Sequence, residues 1–121
     1  MCESATMEAL KRELVGATLL SFLTFEICGT PLPSETAQSR IKQIGLMATI
    51  CALHQIQRPI TIAILVGMTG LSRTAVVEAT NQLVARGYLT EKLGKNSMGR
   101  GTAWHYTLAS ALLERPAPSG W

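Results

Sequence analysis

The stretch from Ser72 to Gly87 constrains the fold most, because its two ends and its two faces are all marked in the sequence. Ser72 stands just before a helical pattern, where its hydroxyl can accept a hydrogen bond from a free backbone N–H. Arg86 and Gly87 close the pattern with a cation near the negative end of the helix dipole and a glycine suited to the left-handed conformation. Spacings of three and four predict one buried face, which comprises Val76, Ala79, Thr80 and Leu83. The other face is mostly polar.

A shorter apolar segment, residues 60–68, precedes this helix. Thr61 can cap it, and the glycines and threonine of residues 67–70 supply a turn. Leu71 is then expected to pack between the two segments. Two helices joined by a few residues that include glycine form a helix-turn-helix, in which the first helix braces the second and presents its N-terminal half outward.

Two β-prone stretches, residues 88–93 and 102–108, follow the longer helix and predict a β-hairpin. The loop between them, residues 94–101, holds three glycines, two cations and a single apolar side chain, Met98. A mobile basic tip suits a phosphate backbone or a narrow minor groove. Ile60 and its neighbour are expected to form a small strand that pairs with this hairpin.

In combination these segments resemble the MarR-type winged helix-turn-helix DNA-binding proteins over roughly residues 41–108. The residues that carry the resemblance are Gly70-Leu71-Ser72-Arg73, Val76, Leu83, Arg86-Gly87-Tyr88-Leu89, Gly99-Arg100 and Tyr106-Thr107-Leu108. The resemblance implies that the helix beginning at Arg73 lies in the major groove and that the 94–101 loop reaches the adjacent minor groove. It also leaves room for an unidentified small-molecule effector. Val77 and Glu78 depart from the pattern, because many relatives carry serine or basic residues there, and the chain is shorter than typical MarR proteins.

The predicted reading helix and wing supply the candidate DNA contacts. On the helix they are Ser72, Arg73, Thr74, Val77, Glu78, Asn81 and Gln82, and on the wing they are Lys92, Lys95, Asn96 and Arg100. Arg73 can pair with guanine, Asn81 with adenine, and Glu78 can accept a hydrogen bond from cytosine. Thr74 and Val77 suit a thymine methyl group, and the other two helix residues suit phosphates. Simpler interpretations stay open, in which Arg73 only solvates the helix start and Glu78 only pairs with a nearby cation.

The placement of charge supports an anionic partner for the same region. The chain has a formal net charge of +3. Residues 58–101 contain six cations and two anions, whereas the remainder contains five cations and six anions. The excess positive charge therefore lies in the predicted DNA-binding region, as a phosphate-facing surface requires. A chance cluster of cations on a solvated face is the alternative.

The N-terminal part predicts a helix over residues 6–28 that is apolar around most of its girth. Such a helix cannot stand half exposed in a small monomer. We expect it to pack against a second copy, and the predicted dimerisation residues are Leu14, Leu19, Leu20, Phe22, Leu23 and Phe25. The alternative is the central helix of a compact core. Gly29, followed by Pro31 and Pro33, breaks this helix.

Ser34 is expected to cap a second long helix, which runs to about Gln57 and is the first helix of a three-helix core. Its predicted buried positions are Ile41, Ile44, Leu46, Ala48, Cys51, Ala52 and Ile56. Arg58 and Pro59 stop it, since the residue before a proline disfavours the helical conformation. The predicted fold class is therefore mainly α with a small β-hairpin wing, a winged helix-turn-helix with an additional N-terminal apolar dimerisation helix.

The chain divides into three predicted regions. Residues 1–33 hold the dimerisation helix and the proline-rich break, residues 34–114 the DNA-binding domain, and residues 115–121 a flexible tail. The apolar run from Leu14 to Phe25 has 12 residues, which is fewer than the roughly 18–20 that span a bilayer. We therefore expect a cytoplasmic protein without a membrane partner.

Catalysis and metal binding are not indicated by the sequence. His54 and His105 lie in different elements, and neither has a carboxylate or thiol at a catalytic spacing. The glycines match no phosphate-binding loop. Cys2, Cys28 and Cys51 lack the paired spacing of a zinc site, and we expect them to be buried reduced thiols. No catalytic residue, metal ligand or cofactor is predicted.

The sequence thus predicts a sequence-specific regulator of transcription that binds double-stranded DNA, a homodimeric repressor that occupies an operator. Two alternatives stay open. The exposed helix can bind another polypeptide, as in a protein-interaction or assembly module, or the same module can serve a plasmid or phage replication or partition factor. Salt dependence separates the first alternative from DNA binding, because phosphate contacts weaken steeply as salt rises.

Overall fold

The structure is a computed structural model that describes residues 18–95 and 102–113. Its elements are α1 (Thr18–Gly29), α2 (Ala37–Gln55), α3 (Ile62–Thr69), α4 (Arg73–Ala85), β1 (Leu89–Lys95), β2 (Thr102–Leu108) and α5 (Ser110–Leu113). This part of the chain is mainly helical, and its two strands pair as a small antiparallel hairpin. The predictions for Leu14, for residues 96–101 of the hairpin tip and for the 115–121 tail fall outside the described residues. Gly94 and Lys95, which were predicted in the loop, belong to β1.

The helices α3 and α4 begin and turn as the sequence predicts. The Thr61 hydroxyl caps α3 by accepting a hydrogen bond from the Ile64 N–H at 3.3 Å. The Ser72 hydroxyl caps α4 by accepting one from the Ala75 N–H at 3.1 Å. Gly70, with φ 73°, ends α3 in the left-handed conformation that glycine adopts without strain. The two helices are bent by 117°, within the range of helix-turn-helix units.

The four positions of α4 that the spacing assigns to its buried face are Val76, Ala79, Thr80 and Leu83, and all four are buried. The Thr80 hydroxyl donates to the Val76 carbonyl at 2.6 Å. A polar side chain therefore enters the core without an unmet hydrogen bond. The helix ends at Ala85, and Gly87 takes φ 82° just beyond it. The start, the buried face and the end predicted for this helix are thus confirmed.

The hairpin packs on the same core. Leu89 lies opposite Leu108 in the register, and both side chains are buried together with Tyr106, which fixes the face turned inward. The Tyr106 N–H donates to the Ile60 carbonyl at 2.9 Å, and one isolated bridge joins Thr61 to β2. The small strand predicted at Ile60 is therefore present as a short bridge along the second edge of β2.

The start of α2 differs from the prediction. Thr36, rather than Ser34, caps the helix by accepting a hydrogen bond from the Ser39 N–H at 3.1 Å. Ser34 lies in the preceding turn with φ 63°, so its backbone does not have the extended conformation of an N-cap. The helix ends at Gln55, close to the predicted end.

The buried face of α2 also differs from the prediction. Its buried residues are Gln43, Leu46, Met47, Ile50, Cys51 and Leu53. Leu46 and Cys51 agree with the prediction, but Ala52 is exposed, and Ile41 and Ile56 are 65% and 64% exposed. Residues 43–57 contain no formally charged side chain, so apolar residues surround the helix and spacing alone does not select one face.

The N-terminal helix α1 belongs to the core of its own chain. Leu23 and Ile27 have no exposed area, so the assignment of Leu23 to a dimer surface is wrong. The predicted dimerisation residues Leu19, Leu20 and Phe22 are half-buried against the same core. Phe25 is 77% exposed. The alternative interpretation, a helix that completes a compact core, therefore fits the inner side of α1.

The two cysteines in the described part of the chain have different environments. Cys51 is buried on the inner side of α2, as expected, whereas Cys28 near the end of α1 is exposed. The prediction of buried thiols is therefore wrong for Cys28. It lies on the outer side of α1, one turn along the chain from Phe25, because positions three residues apart share a helix face.

Within the described ranges, no single helix has both the length and the apolar composition needed to cross a membrane. The helices α3 and α4 are long and apolar enough only when they are taken together, and the chain bends by 117° between them. Each of these two helices buries apolar side chains in the core, for example Leu65 from α3 and Leu83 from α4.

Candidate nucleic-acid interface

The outer face of α4 is the surface on which five of the seven DNA contacts predicted for this helix fall. Arg73, Thr74, Val77, Glu78 and Asn81 are all exposed, opposite the buried face of the helix. The helix has 13 residues, which makes it about 20 Å long. This face offers hydrogen-bonding groups that suit base edges, but its one cation and one anion give it no net charge for phosphates.

Two further predicted contacts, Ser72 and Gln82, have partners inside the protein. Ser72 is exposed, and its oxygen accepts the Ala75 N–H while its own O–H group is a donor. Gln82 is half-buried, and its amide oxygen accepts hydrogen bonds from the Ser39 hydroxyl at 2.7 Å and from the Gln43 amide at 3.2 Å. The oxygen of Gln82 therefore joins α4 to α2, which leaves its NH₂ group for an outside partner.

A buried ion pair holds the C-terminal end of α4. Arg86 Nη2 donates to Glu35 Oε1 at 2.7 Å, and the two side chains are 4% and 0% exposed. Arg86 also donates from Nε to Gln43 Oε1 at 2.8 Å and from Nη1 to the Thr30 carbonyl at 2.9 Å. Gln43 Nε2 in turn donates to the second oxygen of Glu35 at 2.6 Å. The guanidinium group therefore links the end of α4 both to α2 and to the loop that precedes α2.

We call this network the α4 anchor and define it as the side chains of Glu35, Ser39, Gln43, Gln82 and Arg86. Within the described residues, no buried side-chain nitrogen or oxygen lacks a hydrogen-bond partner. A buried network whose members are all satisfied makes the elements that it joins rigid. A buried charge that loses its partner is, by contrast, strongly destabilising. The anchor therefore fixes the C-terminal half of α4 against the first turns of α2.

The anchor changes the charge distribution that the sequence suggests. Arg86 is one of the six cations of residues 58–101, but it is buried and its charge is balanced by Glu35. The exposed cations of that range whose side chains are described are Arg58, Arg73 and Lys92. The positive surface around α4 is therefore weaker than the count of charged residues indicates.

The sequence does not show that the members of the anchor pair with one another. Arg86 is separated from Gln43 by 43 positions and from Glu35 by 51. Glu35 by itself suits the beginning of one helix and Arg86 the end of another, because of the helix dipole. Each residue thus has a sufficient local explanation without the other. The one signal is Gln43, a polar residue directly before the apolar run that begins at Ile44.

A second polar contact joins α1 to the beginning of the hairpin. The Tyr88 hydroxyl donates to Glu26 Oε1, and the tyrosine is buried. Burial, together with the neighbouring Glu26 carboxylate, raises the pKa of the Tyr88 phenol above its ordinary value. The phenol therefore keeps its proton at neutral pH and remains the donor of this hydrogen bond.

The hairpin presents two different faces. On one face Lys92 is exposed opposite His105, where the sequence predicts a wing contact. On the other face Leu93 and Trp104 form an exposed apolar pair beyond the core, a feature that the predicted contacts do not include. The remaining wing predictions, the Lys95 side chain, Asn96 and Arg100, fall outside the described residues.

A polar groove of about 90 Å³ lies between the start of α2 and the middle of α4. It is lined by Thr36, Gln38, Ser39, Lys42, Ala75, Glu78, Ala79 and Gln82. Lys42 is exposed there and brings a cation to the side of the α4 face. A groove of this size accommodates ordered water but is smaller than the several hundred Å³ typical of organic ligand sites. It is therefore a feature of the α4 surface rather than a pocket for an effector.

Comparisons of the chain with family models, with curated proteins and with solved structures found no match. In the residues that the structure describes, no group of three or more His, Cys, Asp or Glu side chains is arranged to hold a metal ion. Among the described residues, the features that suggest a function are therefore α4 and the elements that hold it.

Proposed function

We propose that the chain is a winged helix-turn-helix protein, similar to the MarR type, that binds double-stranded DNA sequence-specifically and represses transcription as a homodimer. The observation that carries the proposal is the two-sided character of α4. One side is buried in the core. The other side exposes five side chains on successive helical turns, and each of them offers a hydrogen-bonding group or a methyl group. A helix of this kind can read base edges in a groove.

The elements around α4 suit insertion into DNA. The helix α3 lies behind it, bent by 117°, and braces it as the first helix of a helix-turn-helix does. An α-helix fits the major groove of B-DNA, which is about 12 Å wide. The hairpin begins at Leu89, soon after α4 ends at Ala85, so a wing in this position can reach the neighbouring backbone or minor groove.

The α4 anchor supports the proposal because a reading helix has to be held in one orientation. Recognition groups need to stay within about 0.5 Å of their productive positions. The Arg86–Glu35 pair is buried, and buried pairs are screened by salt much less than exposed pairs. The anchor can therefore hold the orientation of α4 at salt concentrations that weaken phosphate contacts.

Within this proposal the exposed side chains divide by their chemistry. Arg73 pairs with guanine O6 and N7, and Asn81 pairs with adenine N6 and N7. Glu78 accepts a hydrogen bond from cytosine N4, while Thr74 and Val77 contact thymine methyl groups. The backbone N–H groups of the first turn of α4 and the cations of the hairpin meet phosphates.

A protein-interaction module is the second candidate, and the composition of the α4 face favours it. Val77 is 37% exposed, and the formal charges of Arg73 and Glu78 cancel. DNA-binding surfaces ordinarily carry an excess of cations, whereas a neutral helix face with an apolar side chain also suits a groove on another protein.

Selection of binding sites from random duplexes, followed by a salt titration, separates the two candidates. We expect enrichment of a two-fold symmetric sequence whose half-sites lie about 34 Å apart. Binding should weaken steeply between about 50 and 200 mM salt, because counterions are released from the DNA. Failure to enrich any sequence, together with salt-insensitive binding to a polypeptide, would overturn the DNA proposal in favour of the second candidate.

Two matched arginine variants test the role of α4. Arg73→Ala is expected to weaken DNA binding by about 1–3 kcal/mol, roughly 5- to 150-fold, and to relax the preference at one base pair. Arg58→Ala removes another exposed arginine, beyond the C-terminal end of α2, and should leave the preferred sequence unchanged. Equal losses in both variants, with the same preferred sequence, would show that Arg73 reads no base.

A further inference from the structure

We infer that the outer face of α2 binds the same face of a second copy of this chain, as an antiparallel pair of helices. We call this face the α2 stripe and define it as Ile41, Gly45, Ala48, Ala52 and Ile56. Four of these residues are exposed and Ala48 is half-buried, on the side of α2 that points away from the core. Exposed isoleucines at both ends of one helix face leave apolar surface in water that a partner would cover.

Gly45 has no explanation in the described part of its own chain. Glycine in the middle of a helix is less favourable than alanine by about 1 kcal/mol. Gly45 does not have a positive φ, and a Cβ at this position would meet no atom of the described residues within 4 Å. Neither backbone conformation nor internal packing therefore requires glycine here. A small residue in the centre of an exposed helix face does allow a second helix to approach to about 8–10 Å between axes.

The order of side chains along the stripe suits a second copy. In an antiparallel pair related by a two-fold axis between residues 48 and 49, Ile41 lies opposite the partner's Ile56. Gly45 then lies opposite the partner's Ala52, and Ala48 lies beside the axis. A two-fold interface requires each contact to occur twice with the roles exchanged, and here large residues meet large ones and small residues meet small ones. The spacings along the stripe are four, three, four and four residues, and spacings of three and four are those of helices packed at about 20°.

Charge favours the antiparallel orientation. The stripe has no charged side chain, and Lys42 is the exposed cation on its flank. In a parallel two-fold pair Lys42 would lie at the level of the N-terminal half of the partner's α2, toward the positive end of the helix dipole. In the antiparallel pair it lies at the level of the C-terminal turn of the partner's α2, where the helix dipole is negative. The antiparallel pair thus places the cation toward the negative rather than the positive end of the partner's helix.

This surface makes the homodimer of the proposed function concrete, but its test does not require DNA. It differs from the surface predicted on α1, whose Leu23 is buried in its own chain. One pair of helices covers less than the roughly 1,600 Å² of a standard interface. We therefore expect a weak dimer, with a dissociation constant on the order of micromolar.

Sedimentation of the full-length chain without DNA, from about 1 to 300 µM, tests the inference. The wild-type chain is expected to pass from monomer to dimer in this range. Ala52→Glu places a carboxylate opposite the partner's Gly45 and should raise the dissociation constant at least about tenfold. Position 52 is exposed in the single chain, so the thermal unfolding of the monomer should not change.

A second variant tests the register of the pair. Gly45→Lys alone should also weaken association at least about tenfold, because it fills the centre of the interface with a charge. Gly45→Lys combined with Ala52→Glu in one chain should restore association, since each lysine then meets the partner's glutamate. Gly67→Lys is the matched control: the α3 glycine is equally open within 4 Å, and its substitution should leave association unchanged.

Three outcomes would overturn the inference. The wild-type chain could remain monomeric at the highest concentration. Association could be broken by Phe25→Lys on α1 and not by Ala52→Glu, which would place the interface on α1. The double variant could stay as weak as the single variants, which would exclude the antiparallel register. Loss of DNA binding by a chain that still forms this dimer would refute the proposed function alone.

Discussion

The helices α2 and α4 pack against the same core, yet they turn opposite kinds of surface outward. Leu46 of α2 and Leu83 of α4 are both buried in that core. The outer face of α4 is polar, with groups such as Asn81 that form hydrogen bonds, whereas the outer face of α2 is the charge-free α2 stripe. The difference shows that the residues buried on one side of a helix do not determine the chemistry of its exposed side. From the chemistry of the two outer sides we propose a polar partner for α4 and an apolar protein surface as the partner of α2.

The largest expected effect comes from the α4 anchor, which joins these two helices at one end. Glu35→Ala leaves the buried Arg86 guanidinium without a counter-charge. We expect the free energy of unfolding to fall by about 3–5 kcal/mol. The guanidinium group would then be buried without a partner charge to offset the cost of removing it from water. Unfolding in urea, followed by circular dichroism, measures this loss.

Two controls show whether the charge is the cause. Glu91→Ala removes an exposed glutamate of β1 and should change the free energy of unfolding by less than about 0.5 kcal/mol. Glu35→Ala combined with Arg86→Met removes both charges of the anchor and should recover much of the stability. A double variant that is as unstable as Glu35→Ala would point to lost hydrogen bonds or packing rather than to an unpaired charge.

A matched pair of isoleucines on α2 tests the assignment of its two faces. Ile50 has no exposed area, and Ile50→Ala should lower the free energy of unfolding by about 2–5 kcal/mol, through lost burial and the cavity left behind. Ile41 is largely exposed, and Ile41→Ala should change it by less than about 0.5 kcal/mol in the monomer. If both variants lowered the free energy of unfolding by similar amounts at low protein concentration, the outer face of α2 would have to be covered by its own chain.

The same two helices show how far the sequence predicts the fold. For α4, Ser72, Gly87 and the four buried positions were all predictable, because the outer face is mostly polar, with Val77 as its apolar exception, and both ends have a residue suited to capping or termination. For α2, isoleucines and alanines lie on several sides, so Ile41 and Ile50 look equivalent in the sequence. Only tertiary packing distinguishes them.

The candidate site likewise has one part that the sequence predicts and one part that it does not. The exposed residues of α4, from Arg73 to Asn81, were predictable because they lie opposite a clear buried face. The anchor was not, because Glu35, Gln43 and Arg86 meet only after the chain has folded, across 43 to 51 positions. The burial of Arg86 also lowers the surface charge that a count of residues suggests. Helix periodicity predicts faces, but it does not predict which distant polar groups pair.

The inner side of α2 can be tested by pH, because it contains Cys51. Burial raises the pKa of the Cys51 thiol above its ordinary value. Well below about pH 8.5, the ordinary pKa of a thiol, both states hold the proton, and as pH rises past it the unfolded chain releases the proton more readily than the native chain. Stability should therefore fall as pH rises, by at most about 1.4 kcal/mol per pH unit from this group.

Urea unfolding at about pH 8 and pH 10, with reductant present, measures this dependence. Cys51→Val should remove the contribution of the thiol and make the fall smaller. Cys28→Val is the matched control, because Cys28 is exposed on α1, and this variant should keep the dependence of the wild-type chain. An identical fall in both variants would assign the effect to other groups.

The smallest expected effect distinguishes the two ends of α4. Its start is capped by Ser72 and exposed at Arg73 and Thr74, whereas its C-terminal end is held by the anchor. Ser72→Ala should lower the free energy of unfolding by about 0.5–2 kcal/mol. Because the two ends are held by separate contacts, amide exchange should accelerate in the first turn, at Ala75, and much less near the anchor.

Ser72→Asp keeps a capping oxygen and should restore the slow exchange of the first turn. Equal acceleration along the whole of α4 would show that the cap and the anchor do not act separately. An end held by one exposed hydrogen bond can adjust to the partner that it meets, while the anchored end keeps the helix in place. The first turn of α4, with Arg73 and Thr74, is therefore where adjustment on binding should be greatest, and α2, anchored at its start, is where it should be least.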